Sequence, residues 1–200
     1  LLNSLLDSGA PAAPPAEAPA EAPTVAFTPP GGQLALQLDQ AQLALTPGRP
    51  NFVNVRLANQ GQSTDSFLLS VDGVPGDWLR DNELPVRVGP GQTAVVPLVV
   101  EPPAGGRGEA GDYNVLIRAR SASDQFVAGS APMRWTVLPV SGASLSIAPD
   151  WAEGRTEADF ALTVRNEGNE AAAFTLSADD RSRLLAYEWG GERVSLGPGQ

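Results

Sequence analysis

Between residues 52 and 71 the chain alternates apolar and polar side chains with a period of two, breaks at Asn59-Gln60-Gly61, and alternates again. Val53, Val55 and Leu57 lie on one face and Asn54 and Arg56 on the other; beyond the turn, Phe67, Leu69 and Val71 oppose Ser66 and Ser70. Period-two alternation is the signature of a half-buried strand, and two such runs around a turn predict an antiparallel pair. The pattern then returns: Phe160 to Arg165, Asn166-Glu167-Gly168 and Phe174 to Ser177 repeat it at an interval of 107 residues, with Asn59 matching Asn166, Phe67 matching Phe174 and Ser70 matching Ser177. A repeat of that length is the size of one self-sufficient β-sandwich. The expected fold is therefore all-β, as two tandem sandwiches of which the second is incomplete.

The remaining strands of the first unit follow the same logic. Leu34, Leu36 and Leu38 alternate with Gln37 and Asp39, and Leu43 with Leu45 resumes after a short break, which predicts that this first strand passes from one sheet to the other. Leu84 to Val88 is a short strand, Gly89-Pro90-Gly91-Gln92 a turn, and Ala94, Val96, Leu98 and Val100 a strand whose outer face carries Pro97. A proline cannot donate to a ladder, so that strand belongs at an edge or a bulge. Tyr113, Val115, Ile117 and Ala119 form another strand, and Met133, Trp135 and Val137 close the set. In the second unit Leu145 and Ile147 match the first strand, and the run Val194 to Gln200 matches the strand and turn at Val88 to Gln92.

Four segments result: residues 1–9, 10–32, 33–140 and 141–200. Leu1, Leu2, Leu5 and Leu6 have helical spacing before Gly9 and read either as the end of an upstream helix or as a frayed remnant. Residues 10–32 form a linker rich in proline, alanine and glutamate that cannot build a core and is expected as an extended spacer. A docking segment for a proline-reading domain is the alternative. Thr24 to Thr28 is expected to pair as an edge strand.

Composition narrows function more than fold. The chain has 200 residues, no histidine and no cysteine, 13 basic residues against 23 acidic ones, and a net charge of -10. Without histidine or cysteine there is no imidazole base, no thiol nucleophile and no disulfide. Every basic residue is an arginine and none cluster, which argues against nucleic-acid or anionic-membrane binding. No apolar run reaches the length of a membrane span. Ser63, Ser66 and Ser70 have no base beside them and read as strand-face residues.

Leu45-Thr46-Pro47-Gly48, Asn59-Gln60-Gly61, Phe67 with Leu69, Val74-Pro75-Gly76-Asp77-Trp78, Gly89-Pro90-Gly91-Gln92 and Gly111-Asp112-Tyr113 together resemble the immunoglobulin-like repeats of large bacterial surface proteins. The closest groups are the NEW3 domains, seen beside some secreted glycosidases, and the related cell-adhesion-related (CARDB-like) repeats. The resemblance spans about Leu34 to Val140 and, in part, Ala143 to Gln200. It implies an extracellular or cell-surface setting, with a cytoplasmic particle as the alternative. It carries no catalytic residue to transfer.

The function expected is that of a noncatalytic structural or interaction module in a bacterial surface, appendage or secreted multidomain protein, acting as spacer or adhesive repeat. Its partners would be other domains or subunits of a larger assembly. Alternatives are a carbohydrate-associated accessory domain beside a catalytic one, and a subunit of a filament or phage-like particle built by strand complementation. Trp78, Tyr187 and Trp189 are the candidate contacts for a polysaccharide or partner, weighed against a role as core plugs. Tyr113, Phe67, Trp135 and Phe174 are expected to be structural, with Tyr113 closing a corner by bonding to upstream backbone. Asp72, Asp77, Asp81 and Glu83 place carboxylates in one region, where calcium is conceivable against a solvated loop; no cofactor is otherwise expected.

Overall fold

The computed structural model describes residues 25–27, 33–154, 156–182 and 184–200, and these are all-β. The expected helix at 1–9 and most of the linker at 10–32 lie outside the described residues. Val25–Phe27 (β1), Leu34–Leu38 (β2), Asn51–Asn59 (β4) and Thr93–Val100 (β7) form one sheet in the order β1-β2-β4-β7. Gln42–Leu45 (β3), Asp65–Asp72 (β5), Glu83–Val88 (β6), Gly111–Ser121 (β8) and Ala128–Val137 (β9) form the other, in the order β3-β9-β8-β5-β6. All pairings are antiparallel except β3 on β9.

The sandwich-like arrangement follows from the alternation. Val53, Val55 and Leu57 on one sheet and Phe67, Leu69, Ile117, Ala119, Met133 and Trp135 on the other are buried in one shared core. Full burial of each large aliphatic side chain contributes about 1.5–3 kcal/mol. The chain divides its first strand between the sheets, β2 in one and β3 in the other. At the break Asp39 is bound to β4: its carboxylate accepts the Asn54 side-chain amide at 2.9 Å. Edge strands β6 and β7 carry Pro85 and Pro97. The Val99 carbonyl, on the same side of β7 as the Pro97 nitrogen, accepts from the Arg80 N–H at 3.4 Å and points away from β4. Proline at 97 therefore removes a donor from the open edge, not from the ladder.

One expectation needs correction. β4 and β5 are not paired: β4 pairs with β2 and β7, and β5 with β6 and β8. The turn after Asn59 is an arch that carries the chain across the core from one sheet to the other. Alternation reports which face of a strand is buried, and two strands that face each other across a core have the same alternation as two that share a ladder.

Residues 141–200 repeat this arch. Ala143–Ala148 (β10) pairs with Ala161–Asn166 (β11), and Ala172–Thr175 (β12) with Arg193–Leu196 (β13). The registers coincide: Ala143 stands opposite Asn166 as Leu34 stands opposite Asn59, and Phe174 opposite Val194 as Phe67 stands opposite Val86. Burial differs. Leu145 and Ile147, which correspond to the fully buried Leu36 and Leu38, are 60% and 53% exposed.

Candidate functional site

The sequence-predicted residues do not converge on one site. Trp78 ends a short 3-10 turn, Gly76–Trp78, and is 2% exposed. Its ring meets that of Tyr113 edge-to-face, with centroids 5.0 Å apart, a favoured geometry for an aromatic pair. Its accessibility to a sugar or partner, the alternative carried by the sequence, is thereby corrected. The turn formers Pro75 and Gly76 bring the indole inward, and its faces are spent on core packing. The Trp78 Nε1–H has no hydrogen-bond partner. Tyr187 is 41% exposed and Trp189 half-buried; both lie in the irregular stretch between β12 and β13.

Phe67 and Trp135 are buried in the core, and the Trp135 Nε1–H donates to the Met133 sulfur. Phe174 is half-buried on β12. Tyr113 begins the apolar run of β8 and its hydroxyl donates to the Glu109 carbonyl at 2.9 Å. Burial pushes the Tyr113 phenol up, and the Glu109 carboxylate adds to the shift.

Carboxylates on the outer face of the five-stranded sheet are engaged by arginines. Asp72 pairs with Arg118 at 2.9 Å, Glu83 with Arg120 at 3.1 Å, and Asp112 with Arg134. The hydrogen bond from Arg134 is the main reason the Asp112 carboxyl sits below its ordinary range, with Thr136 adding to it. Among the described residues no group of three or more carboxylates is placed to hold a metal ion. At the β8–β9 end Asp65 accepts from Ser121 at 2.6 Å and Ser123 at 2.8 Å. Burial acts to raise the Asp65 carboxyl, but those hydroxyls and the Ser66 N–H outweigh it and hold the group low.

Sequence reasoning missed the residues that organise the arches. Asn59 reads as a turn former, yet its side chain is buried and reaches across the core. Its amide donates to the Ser63 and Val88 carbonyls at 2.8 and 2.9 Å, and its carbonyl accepts from the Gly61 N–H at 2.9 Å. Asn166 repeats this with Glu170, Leu196, Gly197 and the Gly168 N–H. The backbone agrees: the Asn59 N–H donates to the Gln92 carbonyl and the Asn166 N–H to the Gln200 carbonyl. The recurrence of Asn-x-Gly together with Gly-Pro-Gly-Gln was the available signal. Each asparagine ties an arch to the turn after the edge strand, so both sheets are held at one point.

Several solved structures are similar over part of the chain. Alpha-2-macroglobulin of E. coli in its native conformation is 11% identical over 62% of this chain and 8% of its own, with a TM-score of 0.40. PapD-like domain 7 of human CEP192 is 15% identical over 56% of this chain and 87% of its own, at 0.36. A chaperone–tip adhesin complex of CFA/I fimbriae is 12% identical over 82% of both, at 0.34. The chain thus spans about 8% of the length of the first of these. No curated protein matches it. Residues 45–122, which hold β4 to β8 with the Asn59 arch, the Trp78–Tyr113 pair and the Gly-Pro-Gly-Gln turn, match the family described as the NPCBM-associated, NEW3 domain of alpha-galactosidase, and over those residues the chain is NEW3-like.

Proposed function

We propose that this chain is a noncatalytic accessory module, made of two immunoglobulin-like units in tandem, that holds or positions a neighbouring domain in a bacterial surface or secreted multidomain protein. The observation that carries this reading is the duplication. What the chain repeats, down to the hydrogen bonds of Asn59 and Asn166, is a device that joins two sheets, not a loop that presents reactive groups. The NEW3 match supports it, since that family is described by its association with another module and with an enzyme. Repetition of a scaffold multiplies reach and weak contacts.

The test combines turnover and retention. The purified chain is assayed with a panel of chromogenic glycosides, α-galactosides included, and then passed through affinity gels cast with soluble polysaccharides. A holding role predicts no turnover and no retardation in the gels; turnover by the homogeneous chain sinks it.

A second reading, carbohydrate contact, is favoured by the exposure of Tyr187 beside Trp189 and by the glycosidase association in the family description. It predicts retardation in a polysaccharide gel that is lost in Trp189→Ala and kept in Trp78→Phe.

A further inference from the structure

Asn169 has a part that neither its sequence neighbours nor the family match suggests. It follows the Asn166 arch, is completely buried, and belongs by sequence to the second unit, yet its partners lie in the first unit and the connector. Its side-chain amide donates to the Gly108 carbonyl at 2.8 Å and to the Leu138 carbonyl at 3.0 Å. Its side-chain carbonyl accepts from the Val140 N–H at 2.7 Å. Its own N–H donates to the Val140 carbonyl at 3.1 Å, and its carbonyl accepts from the Ala110 N–H at 2.9 Å. A primary amide has two donors and one oxygen, and here both donors and the oxygen are used, as is the residue's backbone.

The surface that receives this turn is cut to fit it. Residues 105–108 form a tight turn of three glycines and Arg107. A β-carbon added at Gly106 would stand 2.5 Å from the Pro198 carbonyl oxygen, inside contact distance. The turn at Pro198 and Gly199, itself tied to Asn166, therefore rests directly on the Gly106 backbone. Glu167 adds a further bond from its N–H to the Gly142 carbonyl at 2.9 Å. At the corresponding place in the first unit stands Gln62, which is exposed, so the asparagine is not required by the arch.

We infer that Asn169, seated against the 105–110 segment and the 138–142 connector, is the locking residue of a rigid joint that fixes the second unit in one orientation on the first. A short connector alone leaves two units free to swivel. A buried side chain with every polar atom paired across the junction makes one orientation uniquely satisfied, because any other leaves the amide or its partners dry and unpaired. The inference rests on the positioning role proposed above and sharpens it: the tandem is a stiff bracket whose two ends keep a set angle.

The test is a distance distribution across the joint from paired spin labels, convenient because the chain has no native cysteine. Gln125→Cys and Thr163→Cys place one label on each side, and Gln125→Cys with Arg87→Cys gives a control pair inside the first unit. The parent is expected to show one narrow peak across the joint. Asn169→Ala, Asn169→Asp and Gly106→Val are each expected to broaden it at least twofold, with the control pair unchanged and Gln62→Ala without effect. A parent distribution already as broad as that of the variants overturns the inference, and so does an unchanged width in Asn169→Ala and Gly106→Val. A narrow peak in a chain that turns over glycosides would sink the positioning role and leave the joint standing.

Discussion

Asn59 and Asn166 are the same residue twice: each is buried at the mouth of an arch, and each ties its own sheet to the last carbonyls of the strand that edges the other. Asn59→Ala removes two donors and an acceptor at once, leaving the Val88 carbonyl and the Gly61 N–H without their partner and the Ser63 carbonyl to solvent. Leaving buried groups unpaired costs about 1–3 kcal/mol each, so a loss of about 2–4 kcal/mol is expected by urea denaturation. Asn59→Asp is expected to be worse, since it puts a carboxylate against two carbonyl oxygens.

For Trp78 the two truncations should separate. Trp78→Ala leaves a cavity beside Tyr113 and is expected to cost about 3–5 kcal/mol. Trp78→Phe loses area but also a buried N–H that has no partner, and is expected to cost less than half as much. Chemical denaturation of the two variants against the parent checks this, and equal losses would show that the indole N–H is paired in solution.

At Tyr113 the expectation is a change in the alkaline limb. The folded pKa is raised, so the hydroxyl's contribution is fully present below the unfolded value of about 10 and is lost as pH rises through the folded value. Tyr113→Phe removes the bond to Glu109, costs about 0.5–1.5 kcal/mol at neutral pH, and flattens the fall in stability above about pH 10. Thermal melts from pH 7 to 11 read both.

Asp65 works in the opposite direction. Its folded pKa is depressed, so its contribution is present above the unfolded value of about 3.9 and is lost as pH falls through the folded value. Acid denaturation followed by tryptophan fluorescence should be steeper in the parent than in Asp65→Asn, with the difference confined below about pH 4. Loss of Ser121 and Ser123 together should move the acid midpoint upward, because burial would then be opposed by the Ser66 N–H alone.

At the β7 edge, Pro97→Thr restores an amide that points to open solvent. Edge strands with free donors template pairing between chains, so self-association in light scattering at high concentration is expected to rise while the melting temperature stays nearly constant.

The strands were legible because alternation is a local property: Val53, Val55 and Leu57, or Val115, Ile117 and Ala119, announce a buried face without reference to anything else in the chain. The division of the first strand at Asp39 to Ala41 was legible for the same reason, as an interrupted pattern. Partnership was not. Nothing in Phe52 to Val71 distinguishes a hairpin from an arch, because the deciding contact joins Asn59 to Val88, which is far along the sequence. The contacts of Asn169 were hidden more deeply, since a lone polar residue in a polar turn carries no pattern, and its partners from Gly108 to Val140 lie far from it in sequence. Trp78 was ambiguous in sequence because an indole near turn formers suits a core plug or a platform; Tyr113 supplies the wall that decides between them.

The short β3 strand runs parallel to β9, the last strand of the first unit, from the Gln42–Arg134 pair to the Leu45–Val137 pair. Tension drawn along the chain meets β1 and β2 of the other sheet first, and once these have come away it reaches β3 and leaves after β9. It therefore pulls β3 and β9 past each other lengthwise, loading their hydrogen bonds together, where a peeling force would open them one by one. That patch should accordingly yield late under stretching, at a rupture force set by only four residue pairs.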